Sequence, residues 1–192
     1  RTSMLPDGLS AEWSDGDEIA VWAKASSGDY ELFQQKFETY GIDGKCGFFT
    51  SVLDEAMPDE SYTYYCTYPY PESVSGNKAV FVLPSVQDGK VTGGADIMVA
   101  VPATSGPLVP VPDPEDHSGM SVRMKRMMHQ FRFYVPQDDD MLGNAQINKI
   151  KLTFPRKVTG NVSVDFTDPS KPVEFTDSGE LTAPSDMTLE LD

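Results

Sequence analysis

Apolar and polar residues alternate with a period of two in short runs along most of the chain, and Gly, Pro, Asn and Asp separate the runs. Successive side chains of a strand point to opposite faces, so this rhythm predicts half-buried strands assembled as a sandwich. Ile19, Val21 and Ala23 alternate with Ala20 and Trp22 behind the turn-forming Ser14-Asp15-Gly16-Asp17, which predicts a strand over 18–24 entered from a tight turn. Residues 61–68 carry Tyr62, Tyr64, Tyr65 and Tyr68 and are stopped by Pro69 and Pro71. Alternation puts Tyr62, Tyr64, Cys66 and Tyr68 on one face and Tyr65 and Thr67 on the other. Residues 79–83 and 97–101 are short apolar strands, each closed by a proline. Phe131, Phe133 and Val135 alternate with Arg132 and Tyr134, and Ile150, Leu152 and Phe154 with Lys149, Lys151 and Thr153, which predicts two adjacent strands.

Elsewhere the pattern is less decided. Over 30–40, Leu32, Phe33 and Phe37 fit a helical spacing while their neighbours favour a strand, and the turn residues Gly41-Ile42-Asp43-Gly44 ahead of Cys46 favour a hairpin. The proline-rich stretch 105–116 predicts an extended surface loop, because each proline removes a donor and fixes φ. After Pro155 the alternation of Val162, Val164 and Phe166, then Val173 with Phe175, then Met187, Leu189 and Leu191 predicts strands without evident closure. Two readings stand: these strands belong to the first sandwich, or 1–156 forms one domain and 157–192 opens a second that continues past Asp192.

Composition narrows the function classes. The 192 residues are 39% hydrophobic and 23% charged, enough for a packed core. A net charge of −15 repels phosphate backbones and anionic lipids, so nucleic acid is not an expected partner. The basic cluster Arg123, Lys125, Arg126 and Arg132 alternates with Met and Phe as a solvated strand face does. No apolar run reaches the roughly 18–20 residues that span a bilayer. With two Cys and two His at unrelated spacings, no metal or cofactor site is expected. Cys46 and Cys66 either form a disulfide between neighbouring strands or remain two buried thiols.

No catalytic constellation emerges, and the chain reads as a non-enzyme. His117 lies among Asp113, Glu115 and Asp116 in the proline loop, which lacks the rigid, desolvated frame that catalysis needs. His129 has no nucleophile motif, and Asp138 to Asp140 lack the ligand spacing of a calcium loop. Met120, Met124, Met127, Met128 and Met141 read as core filler or as a soft contact surface. Tyr65, Tyr68 and Tyr70 are the candidate contacts for a glycan or partner, since surface aromatics stack on sugar rings.

Four segments in order carry a resemblance. Trp13 to Trp22 resembles the W-x-x-G-D-x-I-x-V opening of the fimbrillin-like family, the type V pilins of Bacteroidales. Tyr64 to Tyr70 is similar to that family's Y-x-A-x-Y-P-Y strand, Met128 to Val135 to its K-H-x-L-x-K-L-x-F-x-V segment, and 150–166 to its passage between domains. Cys46 and Cys66 depart from the pattern. The resemblance implies an all-β, transthyretin-like Greek-key sandwich on the cell surface, made as a lipid-anchored precursor of the outer membrane. It implies trimming by an Arg- or Lys-specific protease, for which Lys24 and Lys36 are the candidate positions in this chain. It further implies assembly with other fimbrial subunits by β-strand addition, and adhesion to host or bacterial surface receptors. The alternative from another class is a surface glycan-binding module using Tyr62 to Tyr70.

Overall fold

The computed structural model describes residues 3–4, 11–29, 31–87, 95–109, 119–129, 131, 133, 146–176 and 184–190. The described elements are all strands: β1 (Ser3–Met4), β2 (Ala11–Glu12), β3 (Glu18–Ala25), β4 (Glu31–Asp43), β5 (Cys46–Thr50), β6 (Tyr62–Tyr68), β7 (Ser73–Ser75), β8 (Lys78–Leu83), β9 (Val86–Gln87), β10 (Met98–Ala100), β11 (Ala103–Ser105), β12 (Met124–Arg126), β13 (Lys149–Phe154), β14 (Gly160–Asp165), β15 (Glu174–Phe175) and β16 (Ser185–Glu190). Among the described residues no helix is long and apolar enough to cross a membrane.

Seven strands form the main sheet in the order β12-β10-β6-β3-β4-β5, with β11 also on β6. A four-stranded sheet, β15-β14-β8-β7, packs against one face of it. A three-stranded sheet, β13-β16-β9, and the small β1-β2 pair complete the described pairing. The protein is therefore an all-β sandwich.

The alternation of β3 explains why this strand sits at the centre. Ala20 and Trp22 point into the layer between the two sheets, with Phe81, Ile97, Val99, Val162, Val164 and Phe166. Ile19, Val21, Ala23 and Ala25 point to the opposite face, with Tyr62, Tyr64, Cys66 and Tyr68 of β6. A strand apolar on both faces is stable only when both are covered, and here both are.

Two sequence expectations change. Residues 31–43 form one long strand, neither a helix nor a strand ended at 41; Gly41 to Asp43 still pair with β5 and the turn falls at Gly44-Lys45. The division into 1–156 and 157–192 runs through paired structure. Gly160 to Asp165 lie opposite Leu83 to Lys78 residue by residue, and Lys149 to Phe154 opposite Glu190 to Ser185. Val162, Val164 and Phe166 of the tail thus fill the inner layer, with Val173 and Phe175 packed against it. For the predicted neighbours 131–135 and 146–154, the described part shows exposed Phe131 and Phe133, with the Phe131 ring 6.0 Å from that of Phe154. Residues 110–118 of the proline loop, with His117, the Asp138 to Asp140 turn, Met141 and Arg132 lie outside the described residues.

Candidate functional site

The outer face of the main sheet is apolar, and among the described residues no second sheet packs against it. Leu53, Met57, Leu108, Met120, Val122 and Trp13, all from non-strand segments, cover it. The tyrosines of β6 account for how irregular segments are held there. The Tyr62 hydroxyl donates to the Pro58 carbonyl at 2.8 Å, Tyr64 to Gly106 at 2.6 Å, and Tyr68 to Asp17 Oδ1 at 2.9 Å. Each ring fills the apolar layer and each hydroxyl fastens a different covering segment from beneath. A buried phenol keeps a hydrogen bond this way, and a coil that could not otherwise adhere gains a fixed point.

The Asp17 fastening is the most developed. Asp17 is buried; its Oδ2 accepts from Ser14 N at 2.7 Å, and its carbonyl accepts from Thr39 Oγ1 at 2.8 Å. Gly16, at φ 77°, supplies the left-handed residue of the turn. Trp13 stands edge-on to Tyr68 and to Phe49, with ring centroids 5.0 and 4.9 Å away. Gly47 makes room for it, since a Cβ there would lie 2.7 Å from Trp13 Cγ. The Trp13-x-x-Gly16-Asp17 and Tyr68-Pro69 motifs therefore meet as one structural knot.

Beside it β4 carries a bulge. Val21 lies opposite Gln35 and Ala23 opposite Leu32, so Phe33 and Gln34 together face Trp22, and Gln34 adopts φ 48°. Tyr70 donates to the Gln34 carbonyl at 3.2 Å. Lys36 lies 5.1 Å above the Tyr70 ring and 2.9 Å from Glu18 Oε1, a hydrogen bond that raises its pKa. The Gln35 side-chain amide donates to Ser51 Oγ and the Val52 carbonyl. Here β5 has ended and a shallow cavity of about 290 Å³ opens, lined by Leu32, Gln35, Leu53, Asp54 and Glu55.

These positions correct two expectations. Tyr68 is 1% exposed and cannot stack on a sugar. Tyr65 is half-buried with its ring 6.2 Å from Phe166, and Tyr70 is tied to Gln34 and Lys36. Cys46 and Cys66 are both free, the first exposed and the second buried. Their strands are separated by β3 and β4, so three inter-strand spacings, about 14 Å, lie between them, too far for a disulfide. Burial pushes the Cys66 thiol up to about 12. The side chains of Lys24 and Lys36 are exposed, but their backbones are in ladders: Lys24 lies between Glu31 and Thr63, and Lys36 opposite Ala20. Met120 and Met124 pack on the outer layer, Met127 and Met128 on the inner. Among the described residues no group of His, Cys, Asp and Glu could hold a metal ion.

Sequence reasoning missed the tyrosine fastenings and the bulge. A Tyr at alternate positions of one strand signals a buried face, but only the fold shows where each hydroxyl ends.

No protein-family model matches the chain, and no curated protein matches it. Among solved structures, the chain is similar in fold to that of a "putative cell adhesion protein" from Bacteroides uniformis. The TM-score is 0.54 at 16% identity, covering 93% of this chain and 69% of that one. At this identity the likeness is one of fold.

Proposed function

We propose that the chain is a structural or accessory subunit of a cell-surface fimbria of the fimbrillin-like kind, which assembles by β-strand addition and supports adhesion. The observation that carries this reading is the apolar outer face of the main sheet, roofed, among the described residues, by short irregular segments. A roof held by a few hydroxyl bonds and side chains is one that a regular strand from a neighbour can replace, satisfying both the apolar layer and the backbone groups at its rim. The fold shared with a putative cell adhesion protein supports a surface role; an exported, lipid-anchored precursor trimmed by an Arg- or Lys-specific protease is part of the same proposal. With Lys24 and Lys36 held in ladders, cutting at either requires its strand first to leave the sheet. The glycan-binding alternative loses its support, because Tyr68 is sealed in and Tyr70 is engaged.

The test is assembly of the purified precursor after treatment with an Arg- or Lys-specific protease, viewed by electron microscopy. Filaments are expected. Persistent monomers with the cut confirmed by mass spectrometry would falsify the proposal.

A further inference from the structure

Over 31–37, β4 has β3 on one side and, among the described residues, no strand on the other, because β5 pairs only with Glu38 to Asp43. An edge of this kind offers its backbone donors and acceptors to a strand of another molecule. Here side chains meet it in place of ladder rungs. The Ser51 hydroxyl donates to the Lys36 carbonyl, and the Tyr70 hydroxyl to the Gln34 carbonyl at 3.2 Å. The Gln35 side-chain amide straps the capping segment down, donating to Ser51 Oγ at 2.8 Å and to the Val52 carbonyl at 3.1 Å. Ser51 and Val52 thus sit beside the edge without forming a strand on it.

The backbone of the edge is itself distorted. Phe33 and Gln34 share the place opposite Trp22, and Gln34 takes φ 48°, in the left-handed region that a non-glycine residue enters at a cost. Leu32 lies opposite Ala23 and Gln35 opposite Val21, so the extra residue is not needed for the register of either flank. What it does is bend the strand and break the flat row of backbone groups that a second strand would need. Exposed Lys36 adds a charge, held over the Tyr70 ring and against Glu18, that an arriving strand would have to displace. The segment needs such guarding, since 31–37 carries Leu32, Phe33 and Phe37, and Phe33 is 60% exposed.

We infer that the bulge, the two hydroxyl caps and the Gln35 strap form an autoinhibitory lock, which keeps the 31–37 edge from pairing with the same edge of a second copy. Two such edges would meet antiparallel about a two-fold axis, giving a closed pair. The lock removes that competing pairing. The inference goes beyond the proposed function: it names an edge at which copies do not join, and it needs no trimmed strand.

The test is sedimentation velocity of the untrimmed chain at about 500 mM salt, where screening removes the repulsion between copies of charge −15. The native chain should be monomeric. Gln34→Gly, which suits a positive φ and keeps the bulge, should be monomeric too. Two variants open the edge by different routes: deletion of Gln34 removes the extra residue, and Q35V/S51A/Y70F removes the strap and both caps. Each should shift to concentration-dependent dimers, with amide hydrogen exchange slowed over 31–37. An opened variant that is folded by circular dichroism yet stays monomeric would overturn the lock. So would association that leaves exchange over 31–37 unchanged, or a native chain that already associates with slowed exchange there. If the deletion unfolds the chain, the triple variant decides; unfolding of the triple variant as well would show that these ties hold the fold and do not guard the edge. Failure of the protease-treated precursor to form filaments changes none of these readouts, so the two proposals fail separately.

Discussion

Tyr62, Tyr64 and Tyr68 share a face of β6 and a task, yet each hydroxyl ends on a different segment, the first two on carbonyls and the third on a carboxylate. The face was legible from alternation, because period two leaves only one assignment once one side is apolar. The destinations were not, because they lie on segments without periodicity. Strands β6 and β5 give their two thiols opposite fates. Cys66, buried in the tyrosine layer with its pKa pushed up to about 12 by desolvation, stays protonated at neutral pH, whereas Cys46 is exposed. A thiol reagent at pH 8 should therefore modify one cysteine per native chain and two after unfolding in guanidinium. Mass spectrometry should place the native label on Cys46; rapid native labelling of Cys66 would contradict this burial.

At the scale of elements, β14 shows what a run of alternating residues leaves undetermined. Val162, Val164 and Phe166 announced a strand, but alternation fixes which face is apolar and says nothing of which strand lies alongside. The partner turned out to be β8, far back in the chain. The end of β14 is secured by Asp165. Its Oδ2 accepts from Lys171 Nζ at 2.5 Å and Asn77 Nδ2 at 2.8 Å, and its Oδ1 from the Thr167 amide and hydroxyl at 3.0 and 2.6 Å. Burial favours the neutral acid, but Lys171 and the Thr167 hydrogen bonds outweigh it and hold the carboxyl below the ordinary 3.8. A carboxyl depressed in the folded state is protonated first in the unfolded one, so its stabilisation is full above the unfolded pKa and is lost as pH falls through the folded value. Asp165→Asn should cost about 1–3 kcal/mol at pH 7. The gap in melting temperature between native and variant chains should narrow as pH is lowered from 6 towards 2. A gap constant across that range would show that the charge of Asp165 is not what secures the turn.

For the whole molecule, the inner layer joins the beginning of the chain to its tail. The Trp22 and Phe166 rings stack with centroids 4.1 Å apart and planes 10° from parallel. A sequence reading could not choose between one sandwich and two, because the loosened rhythm after Pro155 fits both a late edge and a new domain. With 160–166 inside the first core, the described fold should melt as one unit. Phe166→Ala should destabilise it by about 3–5 kcal/mol while leaving a single calorimetric transition. A separate early transition in the variant would mean that the tail folds independently.

The junction at Pro84 carries a mechanical implication. Leu83 ends β8, paired with β14, and after only Pro84 and Ser85 Val86 begins β9, paired with β16, while the Ser85 carbonyl accepts from Thr188 N at 2.8 Å. The return link, 155–159, is also short, and Ser185 Oγ clasps it between the Arg156 carbonyl and the Val158 amide. With φ fixed at the proline and both links short, a torque on the three-stranded sheet is delivered as shear across the β8 and β14 rungs, and the joint behaves as a welded spar where a swivel would otherwise be.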